Sequence, residues 1–330
     1  MKIVTAKLVR VMTVLAALIV SAEGMAAIPY PNELFQNDDL LDLTQFGEHF
    51  ESHFAEMDDS GISAKYDMRR KIDRHTIDPQ NPMFALHAIG KVTTAKITEG
   101  SPGFVESTKS EENRAWGTGF MISPCHMITN NHGVCERELY NGKKICKNDE
   151  TLNGKSANFS FGENSDGSDF KRRVTGKVIA ADESLDYAIV QIDSLKNTPD
   201  EVPFIMPNFR DISVINNQIS LGAGYPIQSL NENSHKLYGM KARLNAKSMF
   251  INGKITFTPG NSGSPTLYTK NGRLSASGLL NSSSTDSNGK PSLNKSVEII
   301  GFPSIGRDIN INNPNVFKDI VSSIKSGRCN

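Results

Sequence analysis

The stretch Pro259-Gly260-Asn261-Ser262-Gly263-Ser264-Pro265 decides how this chain is read. It lies between two apolar runs of strand length, Ile251 to Phe257 and Pro265 to Tyr268. Glycine on both sides of Ser262 permits a tight turn that side chains would obstruct. Such a turn can expose one hydroxyl and aim two backbone N–H groups at the same point, which is what nucleophilic catalysis needs of a serine. A Ser-Gly-rich turn is also an ordinary connector, so the rest of the chain has to supply the partners.

A serine hydroxyl is a weak nucleophile at neutral pH and needs a base, and the base needs an acid to orient it. The order serine, acid, histidine is excluded for Ser262, because the last histidine is His235; Ser264 also stands where the second glycine of G-x-S-x-G belongs. The order histidine, acid, serine stays open. Of His87, His126, His132 and His235, His132 stands out: Ile128-Thr129-Asn130-Asn131-His132-Gly133 is a polar strand end directly after the runs GTGFMIS and MIT. The alternative is a plain loop histidine. For the acid, Ser184-Leu185-Asp186-Tyr187-Ala188-Ile189-Val190 sets one carboxylate at the head of an apolar strand, where a half-buried charge requires a partner. Asp182 is its rival, farther from the apolar run.

Around these motifs the texture is that of an all-β domain. Short runs recur at Ala88 to Ile97, Trp116 to Ser123, Met127 to Thr129, Val174 to Ala180, Tyr187 to Ile192, Ile212 to Leu221, Ser275 to Leu280 and Val297 to Phe302, broken by Gly, Asn, Asp and Ser. Val316, Ile320, Val321 and Ile324 follow Asn313-Pro314 at helical spacing, predicting a C-terminal helix. Residues 28–83 differ: Glu33 to Asp59 is acidic with no Lys or Arg, and Leu43, Phe46, Phe50, Phe54 and Met57 predict one amphipathic helix. The basic run Arg69-Arg70-Lys71 follows. This zone reads as an N-terminal extension or prosegment ahead of a domain over residues 84–330.

Lys2, Lys7 and Arg10 precede the ten apolar residues Val11 to Val20, and small residues follow. Residues 1–27 are therefore expected to be a signal peptide and the mature protein to be secreted or periplasmic, without stable membrane association; a retained anchor is the alternative. Lys plus Arg and Asp plus Glu number 36 each, so no basic field argues for a nucleic-acid partner. In an exported chain Cys125, Cys135, Cys146 and Cys329 suggest two disulfides in any of three pairings, with Cys135–Cys146 the favoured short loop. No metal site is expected: His49 and His53 lack the H-E-x-x-H pattern, and Glu163, Asp166 and Asp169 lack that of an EF-hand.

Taken together, GTGFMIS…ITNNH, DYAIV and PGNSGSP resemble the trypsin/chymotrypsin-like serine peptidases, and most nearly the bacterial HtrA-like and glutamyl-endopeptidase-like branches. The gaps of 54 residues from His132 to Asp186 and 76 from Asp186 to Ser262 suit that family, and the likeness runs from about residue 84 to 325. It implies two antiparallel Greek-key β-barrels with the active site between them, over about 84–200 and 201–330, plus a C-terminal helix. It implies Ser262 as nucleophile, His132 as base, Asp186 as orienting acid, and the N–H groups of Gly260 and Ser262 as oxyanion hole. The activity implied is that of a serine endopeptidase on protein or peptide substrates with no cofactor; a non-catalytic binding module of the same fold, or an esterase, is the alternative.

Three departures matter. Zymogens that switch by pairing a new N-terminal ammonium with an Asp before the nucleophile have no counterpart here, since Asn261 is neutral. Any zymogen cleavage, for instance at Arg69-Arg70-Lys71, is therefore expected to act by uncovering the domain. Only 68 residues follow Ser262, too few for the peptide-binding domain of HtrA-like enzymes, and no histidine follows it to read glutamate. By resemblance the substrate pocket falls at Thr256 and Thr258 and the substrate-pairing edge at Leu280, Asn281 and Ser282, all uncharged, which suggests small or uncharged side chains in the pocket.

Overall fold

The described strands form three sheets: a closed barrel, a nine-stranded sheet and a two-stranded ribbon. The computed structural model describes residues 54–56, 70–94, 116–134, 137–140, 143–146, 156–167, 169–196, 201–210, 216, 219–226, 236–245, 250–255, 260–270, 273–281 and 294–329. The strands are β1 Phe54–Glu56, β2 Arg70–Ile72, β3 Ile89–Thr94, β4 Trp116–Ser123, β5 His126–Thr129, β6 Arg137–Tyr140, β7 Lys143–Cys146, β8 Ser156–Phe161, β9 Arg172–Asp182, β10 Tyr187–Gln191, β11 Met206–Pro207, β12 Ile219–Gly224, β13 Leu237–Asn245, β14 Phe250–Ile255, β15 Pro265–Lys270, β16 Arg273–Leu280 and β17 Asn294–Gly301. Two helices close the chain, α1 Phe302–Asn312 and α2 Pro314–Ser326.

β10, β5, β4, β3, β8 and β9 form a closed antiparallel barrel in that order. In β8 every second residue, Ala157, Phe159 and Phe161, is buried, so its other face looks outward. β5 is buried at every position, because protein covers both of its faces. One of those covers is the helix pair. Phe302 of α1 packs edge-on against Phe120 of β4 and against Phe209, which also meets Phe317 of α2. A disulfide joins Cys125, in the turn between β4 and β5, to Cys329. It closes a span of 204 residues, and the chain-entropy model gives such a loop about 5 kcal/mol of stabilisation.

The expectation of two closed Greek-key barrels is corrected by the second sheet. Among the described residues it has nine strands, in the order β1-β2-β13-β12-β15-β16-β17-β14, with β11 lying parallel beside β16. The physical reason is a divided strand. β13 pairs with β2 through Leu237–Gly239 and with β14 only through Arg243–Asn245. β1 and β2 thus carry the sheet past β13 to an edge while β14 also pairs with β13, so only the six-stranded sheet is a simple closed barrel.

Two local expectations also change. Phe54 to Glu56 is strand, where a helix over Leu43 to Met57 was predicted. Phe302, read as the end of a strand, begins α1, and the C-terminal helix expected over Val316 to Ile324 is longer, Pro314–Ser326. Residues 1–27, His49, His53, Arg69, Cys135, His235, Thr256, Thr258 and Ser282 lie outside the described residues, and with them the expected Cys135–Cys146 bond. No helix among the described residues is long and apolar enough to cross a membrane.

Candidate active site

The chain is brought to one place by β4. Its Gly117-Thr118 segment touches both the strand end that carries His132 and the turn that carries Ser262. Thr118 C=O accepts the Thr129 hydroxyl at 2.7 Å, and Thr118 N–H donates to Ser262 C=O at 2.8 Å. His132 sits in a 3-10 turn, Asn131–Gly133, immediately after β5. Asp186 ends the turn before β10, where Asp182, the rival acid, accepts from Leu185 N–H and the Ser184 hydroxyl through Oδ1 and so shapes the turn.

Asp186 has φ 46°, a left-handed conformation that costs most residues dearly and Asp somewhat less. That conformation coincides with a doubly engaged carboxylate. Oδ1 accepts the His132 N–H at 2.9 Å, and Oδ2 lies 2.6 Å from His132 Nδ1. Asn130 Nδ2 donates to the Asp186 carbonyl at 2.8 Å. An acceptor-only carboxylate at Nδ1 requires the proton on that nitrogen, which leaves Nε2 as the free acceptor of a neutral imidazole. Both side chains remain partly accessible, 21% for His132 and 18% for Asp186.

The Ser262 turn is held by its backbone. Gly260 has φ 94° and Gly263 φ 83°. A Cβ on Gly263 would meet Thr118 C=O, Thr129 Oγ1 and Asn130 N, so glycine is required for both its conformation and its packing. Gly263 N–H donates to Leu280 C=O, Leu280 N–H to Ser264 C=O, and Ser264 N–H to Asn261 C=O. Because the Asn261–Ser262 peptide is planar, its N–H points opposite to the carbonyl that faces Ser264. Among the described residues, neither Gly260 N–H nor Ser262 N–H is engaged in a hydrogen bond, and none joins Ser262 Oγ to His132. The structure therefore assembles His132 with Asp186 and docks the Ser262 turn on the strand beside Asn130. Leu280, buried, ends the turn's partner strand β16, and Asn281, half-buried, follows it.

Two other described histidines are held by structural partners. His126 is buried, with Nδ1 2.7 Å from Ser123 Oγ and Nε2 3.2 Å from Asp319 Oδ2 of α2. His87 Nε2 lies 2.9 Å from the Arg74 carbonyl and its Nδ1 accepts Glu163 N–H, so the neutral Nε2–H form fits. Burial, reinforced by the charge of Arg74, lowers its pKa to about 4. Sequence reasoning missed Arg74, which is wholly buried although it follows a basic run that looks solvent-exposed. It lies near a cavity of about 360 Å³ lined in part by His75, Phe84, His87, Glu163 and Lys171, and by none of His132, Asp186 or Ser262. Asp73, His75 and Glu163 group as metal ligands could. Glu163, however, accepts from Lys236 Nζ at 2.6 Å and from the N–H groups of Arg74 and His75. Burial alone would raise the Glu163 pKa; the Lys236 hydrogen bond and the Arg74 charge outweigh it and hold the group lowered. A cation there would have to displace an ammonium already in place.

Residues 117–276 match the family model described as trypsin-like peptidase domain, an interval that contains His132, Asp186 and Ser262. This part of the chain is similar to that family. No curated protein matches the chain. Among solved structures, the Rv3671c protease from M. tuberculosis in its active form is 15% identical, with a TM-score of 0.41 over 70% of this chain and 86% of that one. Its inactive form is 16% identical, with a TM-score of 0.42 over 72% and 96%.

Proposed function

We propose that this protein is an exported serine endopeptidase that cleaves protein or peptide substrates through an acyl-enzyme. The observation that carries the reading is the Asp186 carboxylate holding both the backbone N–H and Nδ1 of His132 while the Ser262 turn docks on the same β4 segment. In this reading His132 Nε2 takes the Ser262 proton as Oγ attacks the scissile carbonyl, then returns it to the leaving amine. Water repeats the cycle on the ester. The N–H groups of Gly260 and Ser262 receive the oxyanion, and losing one such donor costs on the order of 100-fold in turnover. By the family resemblance, the substrate side is expected at Thr256, Thr258, Leu280, Asn281 and Ser282. No cofactor is required.

One observation favours a second reading, a non-catalytic binding module of the same fold: the missing hydrogen bond between Ser262 and His132. Catalytic contacts are often long before substrate arrives and tighten in the complex, so the first reading accommodates it. A fluorophosphonate probe with adduct mapping by mass spectrometry separates the two. Labelling of Ser262 that disappears in Ser262→Ala and weakens in His132→Ala supports the peptidase. No labelling, in the full chain or after trimming ahead of Ile72, establishes the binding module. Matched peptide and ester substrates then separate a peptidase from an esterase.

A further inference from the structure

Arg74 lies at the start of a continuous run of hydrogen bonds that ends on the Ser262 turn. It is 0% exposed, as a charged side chain seldom is. Nη1 donates to the Leu86 and Ile89 carbonyls at 3.3 and 2.9 Å. Nη2 donates to Gly162 C=O at 3.1 Å and to the Tyr225 hydroxyl at 2.7 Å. Tyr225 is itself buried, and its hydroxyl donates a hydrogen bond to Ile89 C=O at 3.3 Å. At its other end, Tyr225 N–H donates to Thr118 Oγ1 at 2.9 Å, and Thr118 Oγ1 donates to Gly260 C=O at 2.7 Å.

Each hydroxyl in this run gives one hydrogen bond and receives one, so the donor directions are determinate. Every link is buried, where an unmade bond leaves a costly orphan. The run also spans the molecule: Ile89 and Gly162 belong to the barrel or its strand ends, while Tyr225 directly follows β12 of the nine-stranded sheet. Arg74 comes from a segment whose preceding strand, β2, pairs with β13 of that sheet.

We propose that Arg74 is a positioning residue for the Ser262 turn, acting through Tyr225 and Thr118, so that the segment from Ile72 to Ile77 is a permanent part of the working enzyme. The inference rests on the peptidase reading for its effect on rate, but its structural half stands alone. Thr118 holds the turn twice, through Gly260 C=O and Ser262 C=O, and Tyr225 sets the height at which the Thr118 hydroxyl sits. Any processing at Arg69-Arg70-Lys71 then removes what precedes Ile72 and must leave Arg74 seated.

The test uses the full chain and two readouts. Tyr225→Phe deletes one oxygen and keeps the ring, and Arg74→Met removes the guanidinium while keeping much of its bulk. Hydrogen–deuterium exchange of the peptide spanning 260–264 reads the turn directly, with β9 as internal reference. Fluorophosphonate labelling of Ser262 reads the chemistry, separated into kinact and KI. Displacement of a reacting group by a remote change can cost up to about 100-fold. Tyr225→Phe is expected to speed exchange at Gly263 and Ser264, leave β9 unchanged, and lower kinact about tenfold with KI unaltered. Arg74→Met should do more, and if it does not fold, Tyr225→Phe still decides. Unchanged exchange at 260–264 in Tyr225→Phe overturns the proposal, as does altered exchange with an unaltered kinact. If the wild-type protein takes no label while exchange responds, the peptidase reading falls and the structural relay stands.

Discussion

The two halves of the candidate site are built by different means. The His132–Asp186 half is fixed by charge and side chains: one carboxylate takes two donors from one histidine, at 2.6 and 2.9 Å. The Ser262 half is fixed through its own backbone, by carbonyls held by Thr118 and Leu280 and a glycine whose Cβ would collide with its neighbours. A half held by charge should fail through electrostatics and leave the fold intact. A half held by main chain should fail through geometry and lose stability together with rate.

The sharpest way to break the first half is Asp186→Asn. Asparagine offers only one acceptor oxygen where the carboxylate offered two, so it can serve the His132 N–H or Nδ1 but not both. If the amide nitrogen faces the ring, it donates to Nδ1 and drives the imidazole proton to Nε2, which then cannot accept from Ser262. The expected loss in Ser262 labelling or peptide turnover is about 10⁴-fold with little change in melting temperature. A loss under about tenfold would mean that the pair plays no part in activation. The corresponding blow to the second half is Gly263→Ala. Its φ of 83° and the positions of Thr118 C=O and Thr129 Oγ1 allow no methyl group, so the turn must move. Activity should fall about 100-fold and stability by roughly 2–4 kcal/mol, measured by denaturant unfolding. Loss of rate without loss of stability would show that the turn shifts as a unit and that its backbone docking is weak.

This division also explains what was legible in the chain. Gly260 and Gly263 announce a strained turn in one dimension, and Asp186 ahead of YAIV announces a charge at the mouth of a buried strand. β9, β10, β15 and β16 lie close to where alternation and apolar runs put them. β8 was readable, since Ala157, Phe159 and Phe161 alternate with Ser156, Asn158 and Ser160, yet it is absent from the expected strands. α1 was hidden because FPSIGRDININ is rich in isoleucine and directly continues the strand VEII; its Phe302, Ile305 and Ile309 spacing is helical all the same. The nine-stranded sheet could not be foreseen, because it depends on β13 dividing its partners along its length, and pairing of residues 70–72 with 237–239 leaves no local trace. Arg74 was missed for a related reason: a buried arginine is satisfied by carbonyls and a phenol distant in the chain, and nothing in its neighbourhood names them.

Acid should weaken the second half through His87. Its pKa is lowered from 6.5 to about 4 by burial and by Arg74, so the folded protein binds fewer protons than the unfolded chain between those values. Stability is fully present above pH 6.5, declines as pH falls toward 4, and is flat with respect to this group below that. The decline attributable to it is about 3 kcal/mol, from 1.36 kcal/mol per pKa unit. Because His87 supports the Arg74 carbonyl, hydrogen exchange around Arg74 and Tyr225 should rise across this window before exchange in the barrel does. His87→Gln, which cannot be charged, should flatten the slope of stability against pH; an unaltered slope would place the acid sensitivity elsewhere.

The smallest effect tests whether Asp186 draws its geometry from His132 or from the strand that follows it. Tyr187, next in sequence and buried, donates through its hydroxyl to Asp308 Oδ2 on α1 at 2.5 Å. Burial and the neighbouring carboxylate raise the phenol's pKa, so it remains a donor at any working pH. Tyr187→Phe removes that tether between β10 and α1 without emptying the core. A hydrogen bond to a charged acceptor that is itself reachable by water contributes about 1 kcal/mol, which is the stability loss expected on unfolding. Ser262 labelling should stay within about twofold, because the carboxylate is held by two donors on His132 and its carbonyl by Asn130. A larger loss of labelling would mean that the left-handed turn at Asp186 is propped by α1, and that the charge-built half of the site depends on packing as much as the half built from main chain.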